Sequence, residues 1–129
     1  MQNAILHLDD IKVLVDSFYN KVREDALLAP IFDRVIQDRW PEHLERMYTF
    51  WQTVLLGEHT YTDSPFPPHA KLPVTRAHFD RWLELFFMTL DEKFEGEKAA
   101  EAKWRASKMA EIFQFKIERY QQKGSRPLI

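Results

Sequence analysis

The sequence predicts a single all-α domain. Apolar residues recur at intervals of three and four in four separate segments, the spacing that lines one face of a helix. Proline or glycine separates the segments: Pro30, the proline-rich stretch from Gly57 to Thr75, and Gly96. At 129 residues and with no cysteine, the chain is long enough to bury one core without disulfides or structural zinc.

The first helix follows the acidic cap candidates Asp9 and Asp10 and turns Ile11, Leu14, Val15, Phe18 and Val22 toward the core. Tyr19 sits about 100° round from Phe18, so it can border that core while its hydroxyl finds a polar partner. The helix fades before Leu27-Leu28-Ala29-Pro30, and Ile31 and Phe32 read as a short apolar plug. Asp38 to Pro41 restarts the chain, with proline at the first helical position. The second helix then runs to about Gly57 with Leu44, Met47, Tyr48, Trp51, Val54 and Leu55 inward. His43, one turn before Met47, lies on the edge of that face, where it can reach a pocket or solvent.

The stretch from Gly57 to Thr75 holds four prolines, His59 and His69, with little helical periodicity. Loops of this length in a compact domain are often functional or disordered, and Tyr61, Phe66, His69 and Leu72 argue against disorder. A third helix begins near Thr75, a capping candidate, and presents Phe79, Trp82, Leu83, Phe86, Leu90 and Phe94 before Gly96 stops it. A fourth, from about Lys98 to Tyr120, turns Ala102, Ala106, Met109, Ala110, Phe113, Ile117 and Tyr120 to one side, and its small residues permit close helix approach. The domain is expected over residues 1–122, with residues 123–129 as a flexible tail.

Composition removes several classes of function. A formal net charge of −2, with both signs interspersed, lacks the basic patch that drives nucleic-acid binding. The longest apolar stretch, around Leu85-Phe86-Phe87-Met88, falls far short of the roughly 20 residues that span a bilayer, so no membrane segment is expected. The first ten residues carry no basic leader and no long apolar run, so the cytoplasm is the default location. Without cysteine there is no thiolate ligation, no iron–sulfur cluster and no covalent haem attachment.

His69 is the most suggestive residue. It stands in Pro65-Phe66-Pro67-Pro68-His69-Ala70-Lys71-Leu72-Pro73, between aromatic-rich helices, with no second ligand at a zinc spacing and no His-Glu-x-x-His motif. A lone axial histidine suits haem better than zinc, and the alternative is a loop histidine facing solvent. Tyr19, His43 and Trp82 can each present a hydrogen-bond donor from a different helix to one cavity, which suits a polar diatomic ligand such as dioxygen. Each also has a structural reading: a tie between helices, an exposed helix-start residue and a core indole. No nucleophile elbow, P-loop or dinucleotide fingerprint occurs, and three glycines leave little for a phosphate cradle.

Taken in order, Phe18-Tyr19-x-Lys21-Val22-Arg23, Pro30-Ile31-Phe32, Trp40-x-x-His43, Phe50-Trp51 with Leu55-Leu56-Gly57, Tyr61, His69-x-x-Leu72-Pro73 and Phe79-x-x-Trp82-Leu83-x-Leu85-Phe86 resemble the group III truncated haemoglobins. The resemblance spans about Asp10 to Tyr120. It implies a truncated globin, a two-over-two helical sandwich around haem b, with His69 as the proximal iron ligand. It also implies Tyr19 and Trp82 as distal hydrogen-bond donors, His43 as a distal residue that swings as a gate, and Phe32 and Met47 as distal walls.

Trp51, Leu55, Leu72 and Phe79 are expected to touch the cofactor as well. Tyr61, Lys71, Arg76 and His78 are chemically suited to the haem propionates, and His78 is the alternative proximal ligand. The leading expectation is a haem b globin that binds oxygen and other diatomic ligands. The alternatives are a nitric-oxide dioxygenase or peroxidase-like enzyme served by a cellular reductase, and a non-haem helical interaction domain.

Overall fold

The computed structural model describes residues 3–61 and 72–125, and among these it forms five helices. They are α1 (Leu8–Glu24), α2 (Ala29–Ile36), α3 (Trp40–Leu56), α4 (Arg76–Lys93) and α5 (Glu97–Ser125). Helix α1 packs against α2, α3 and α4, while α5 packs against α4 and touches α3. The four long helices therefore form two layers of two, with α2 packed on α1.

Local chemistry sets the helix ends. The N-cap of α1 is His7, and the expected cap Asp10 serves one turn later: its Oδ2 accepts the backbone N–H of Leu6 at 2.9 Å and of His7 at 3.0 Å. Trp40 occupies the first position of α3 and Pro41 the second, where the missing N–H costs nothing. Gly57 ends α3 in the left-handed region at φ 71°, a conformation that a Cβ would strain. Helix α5 runs to Ser125, past the expected end at Tyr120.

The plug expected around Ile31 and Phe32 is instead the eight-residue helix α2. Pro30 falls in its first turn, where proline favours helix initiation. Asp25 organises the turn before it. Its Oδ2 accepts the N–H groups of Leu27 and Leu28 at 3.1 and 3.0 Å, and its Oδ1 accepts Arg81 Nε of α4 at 2.6 Å. Burial of Asp25 opposes ionisation, but the Arg81 hydrogen bond, the N–H of Leu28, the Arg81 charge and the N–H of Leu27 outweigh it and hold its pKa below the usual value.

The core lies where α1 meets α3 and α4 and where α5 packs on α4. Phe18 and Phe86 are 2% and 1% exposed and meet edge to face with centroids 5.1 Å apart. Trp51 stacks on Phe86 at 5.0 Å and Trp82 at 5.4 Å, so three rings of α3 and α4 form one column. Ala102 and Ala106, both 0% exposed, let α5 approach α4 closely. Burying a side chain the size of Phe86 contributes about 1.5–3 kcal/mol.

Candidate functional site

Between the two layers lies a cavity of about 440 Å³, within the size range of ligand pockets. Its walls come from every helix: Tyr19 of α1, Phe32 of α2, His43, Met47 and Trp51 of α3, His78, Phe79 and Trp82 of α4, and Met109, Phe113 and Ile117 of α5. Tyr61 and Leu72, on the chain between α3 and α4, complete the wall. Ten of the residues singled out from sequence therefore meet here: Tyr19, Phe32, His43, Met47, Trp51, Tyr61, Leu72, His78, Phe79 and Trp82. Leu55 does not, since it is 1% exposed in the core and off the cavity wall. His69 and Lys71 lie outside the described residues.

Each polar wall residue is held by its own element. Tyr19 is 6% exposed, and burial pushes its phenol pKa far above the usual value, so the hydroxyl is a neutral donor across the physiological range. Its ring meets His43 edge to face at 5.1 Å, and the Nε2 of His43 is buried. Trp82 is fixed by stacking on Phe86 and by the edge of Phe18 at 5.4 Å.

His78 has a defined tautomer. Its Nδ1 accepts the backbone N–H of Thr75 at 3.0 Å and lies 3.1 Å from the Thr75 hydroxyl, closing a cap at the start of α4. A nitrogen that accepts a backbone N–H carries no proton, so in neutral His78 the proton sits on Nε2. Past the end of α3, Thr53 Oγ1 accepts the N–H groups of Thr60 at 3.2 Å and Tyr61 at 3.0 Å. This strap brings Tyr61 against Phe50, with centroids 5.3 Å apart.

Sequence reasoning missed part of the wall. Met109, Ala110, Phe113 and Ile117 read as one core face of α5, and periodicity alone does not separate a core from a cavity wall. Arg39, Glu42 and Arg46 edge the cavity near His43, and their spacing around it was the available signal.

The donor set fits a large planar cofactor. The walls are mostly aromatic or aliphatic, while Tyr19, His43 and Trp82 bring polar hydrogens from three helices to one region. Among the described residues no group of three or more His, Cys, Asp or Glu could hold a metal ion, and no helix is long and apolar enough to cross a membrane.

A family model described as Bacterial-like globin matches residues 4–117. The group 3 truncated hemoglobin ctb of Campylobacter jejuni is 33% identical over 124 residues, which cover 93% of this chain and 98% of that protein. The crystal structure of group III truncated hemoglobin from Campylobacter jejuni matches with a TM-score of 0.83 and 33% identity, over 91% of this chain and 95% of that one.

Proposed function

The chain belongs to the bacterial-like globins, in their group III truncated haemoglobin branch, and from that premise we propose that its cavity holds haem b for the binding of oxygen and other diatomic ligands. Globin membership itself implies a haem cofactor. The observation that carries the finer reading is the convergence of Tyr19, His43 and Trp82 on one cavity whose other walls are apolar.

His69 is the proposed proximal ligand. An iron-ligating imidazole nitrogen must be unprotonated, and in neutral His78 the Nε2 carries the proton while Nδ1 serves the α4 cap. That N–H suits a carboxylate, which favours His78 as a partner of a haem propionate. Haem iron, when bound, supplies an open coordination position for a diatomic ligand.

The chain does the rest. Tyr19 and Trp82 donate hydrogen bonds to a polar ligand, and the raised pKa of Tyr19 keeps its proton in place. Phe32, Met47 and Phe79 exclude water, and His43 stands where a proton can be held or passed.

Loading the purified protein with haem should produce a Soret band, and its absence would sink this reading. His69→Ala should lose that band or shift it, while His78→Ala should keep axial ligation; the reverse would move the ligand to His78. Tyr19→Phe and Trp82→Phe should each speed oxygen dissociation, by roughly fivefold to over a hundredfold for a lost hydrogen bond of about 1–3 kcal/mol. Rapid nitric-oxide or peroxide turnover with a cellular reductase would replace simple oxygen binding by the enzymatic alternative.

A further inference from the structure

The first turn of α3 carries His43 into the cavity, yet it begins without a side-chain cap. Arg39 at the N-cap makes no side-chain hydrogen bond to the helix start, and Pro41 has no N–H to offer. The turn is held from outside instead. Arg39 reaches back over the end of α2, its guanidinium donating to the carbonyls of Val35 at 2.7 Å and Ile36 at 3.3 Å. Trp40 is 7% exposed, with its ring edge-on to Tyr19 and to His43, both at 5.8 Å. Over that ring, at 4.5 Å from its centroid, lies the guanidinium of Arg23 from the last turn of α1.

These contacts form a chain from the surface to the cavity. Arg23 is exposed, Trp40 is buried, and neither lines the cavity. His43 is bounded by Trp40 and by Tyr19, and its backbone N–H closes the turn on the Arg39 carbonyl at 3.0 Å. A cation above the indole favours one ring position, and the edge contacts pass that preference to the imidazole.

We infer that Arg23, acting through Trp40, is a positioning residue that latches the first turn of α3 and keeps the His43 ring inside the cavity. When the latch opens, the turn frays and His43 moves outward, widening the path to the cavity between α2 and α3. The effect on ligand traffic rests on the functional reading above; the latch itself does not.

Arg23→Gln removes the cation without touching the core, and Arg23→Lys keeps one. In the protein as purified, amide hydrogen exchange at His43 should quicken about twofold to fivefold in Arg23→Gln, the factor a cation–π contact at an exposed site is worth. Arg23→Lys should restore most of the protection, and the amide of Leu90 in the core should not change. In the haem-loaded protein, carbon monoxide association should quicken by a similar factor, and this gain should vanish in a His43→Ala background.

Unchanged exchange at His43 would overturn the latch. Equal acceleration at His43 and Leu90 would also overturn it, as general destabilisation. Faster exchange with unchanged association in the loaded protein would break the link to His43. Failure to take up haem would count against the functional reading alone, and the exchange result would still decide the latch.

Discussion

The helix faces that meet at Phe86 and those that meet at His43 are built from similar residue types, yet one region closes and the other stays open. In the buried cluster that holds Phe86, Leu14, Leu90, Ala102 and Ala106 are all 0% exposed. Around His43, the side chains of Phe32, Met47, Phe79 and Trp82 are only half-buried and border a space of about 440 Å³. The difference lies in what stands opposite each large residue. Alanines of α5 let α4 settle against them, whereas rings and methionines on facing helices hold the cavity walls apart. An amphipathic stripe thus specifies which side turns inward, and the sizes of the facing residues decide whether that interior fills.

Truncating one ring from each region is the most direct way to break this contrast. Phe86→Ala should cost about 3–5 kcal/mol in urea unfolding, since its ring is 1% exposed and packs against Phe18, Trp51 and Trp82. Phe79→Ala should cost less than half as much, because part of its ring already faces open space, and should weaken haem retention instead. Equal losses in stability would erase the distinction between the closed and the open region.

Asp25 ties the α1–α2 turn to α4, so it joins the two regions. Asp25→Ala should cost about 1–3 kcal/mol through lost hydrogen bonds. Its pKa is lowered in the folded protein, so its contribution is complete above the ordinary 3.8 and is lost as pH falls through the lowered value. Acid titration of stability should therefore show a steeper loss below pH 3.8 in the parent protein than in Asp25→Ala. Parallel curves would show that Asp25 serves only as a neutral acceptor.

The smallest expected change concerns Tyr19. With the pKa raised above 10.0, its stabilising effect is full below that value and fades as pH climbs toward the raised one. Tyr19→Phe should shift stability at pH 7 by no more than about 1 kcal/mol and should flatten the alkaline limb. An unchanged alkaline limb would show that the phenol ionises as if solvated, placing Tyr19 on the open side of the contrast.

Much of this arrangement was legible from single residues. Tyr19, His43 and Trp82 stood out because polar hydrogens at the edge of apolar helix faces point to a cavity rather than a core. Leu55 falls on the core side for the converse reason: a residue on the inner face of α3 can enter either interior, and nothing local says which. Helix α2 escaped notice because eight residues make barely two turns, too few for a repeat to emerge.

The buried polar groups were illegible because their partners are remote or unremarkable. Asp25 depends on Arg81, far along the chain, Gln52 donates to Glu58 at 3.0 Å across the end of α3, and Thr89 donates to its own helix at the Leu85 carbonyl at 2.8 Å. His69, the residue on which the resemblance leaned most, lies outside the described residues, so its assignment depends on the spectral test.

The segment that precedes α1 is clasped to the turn between α4 and α5. The N–H of Asn3 donates to the Lys93 carbonyl at 3.2 Å, and the N–H of Glu95 donates to the Asn3 carbonyl at 3.0 Å. Ile5, 1% exposed, is tucked beneath. During synthesis, residues 3–5 emerge well before residues 93–95 and must wait for them before they have anywhere to settle. Until then Ile5 stays uncovered, and the clasp, only two hydrogen bonds wide, is among the last contacts to close. Until residues 93–95 emerge, that apolar segment is open to chaperones.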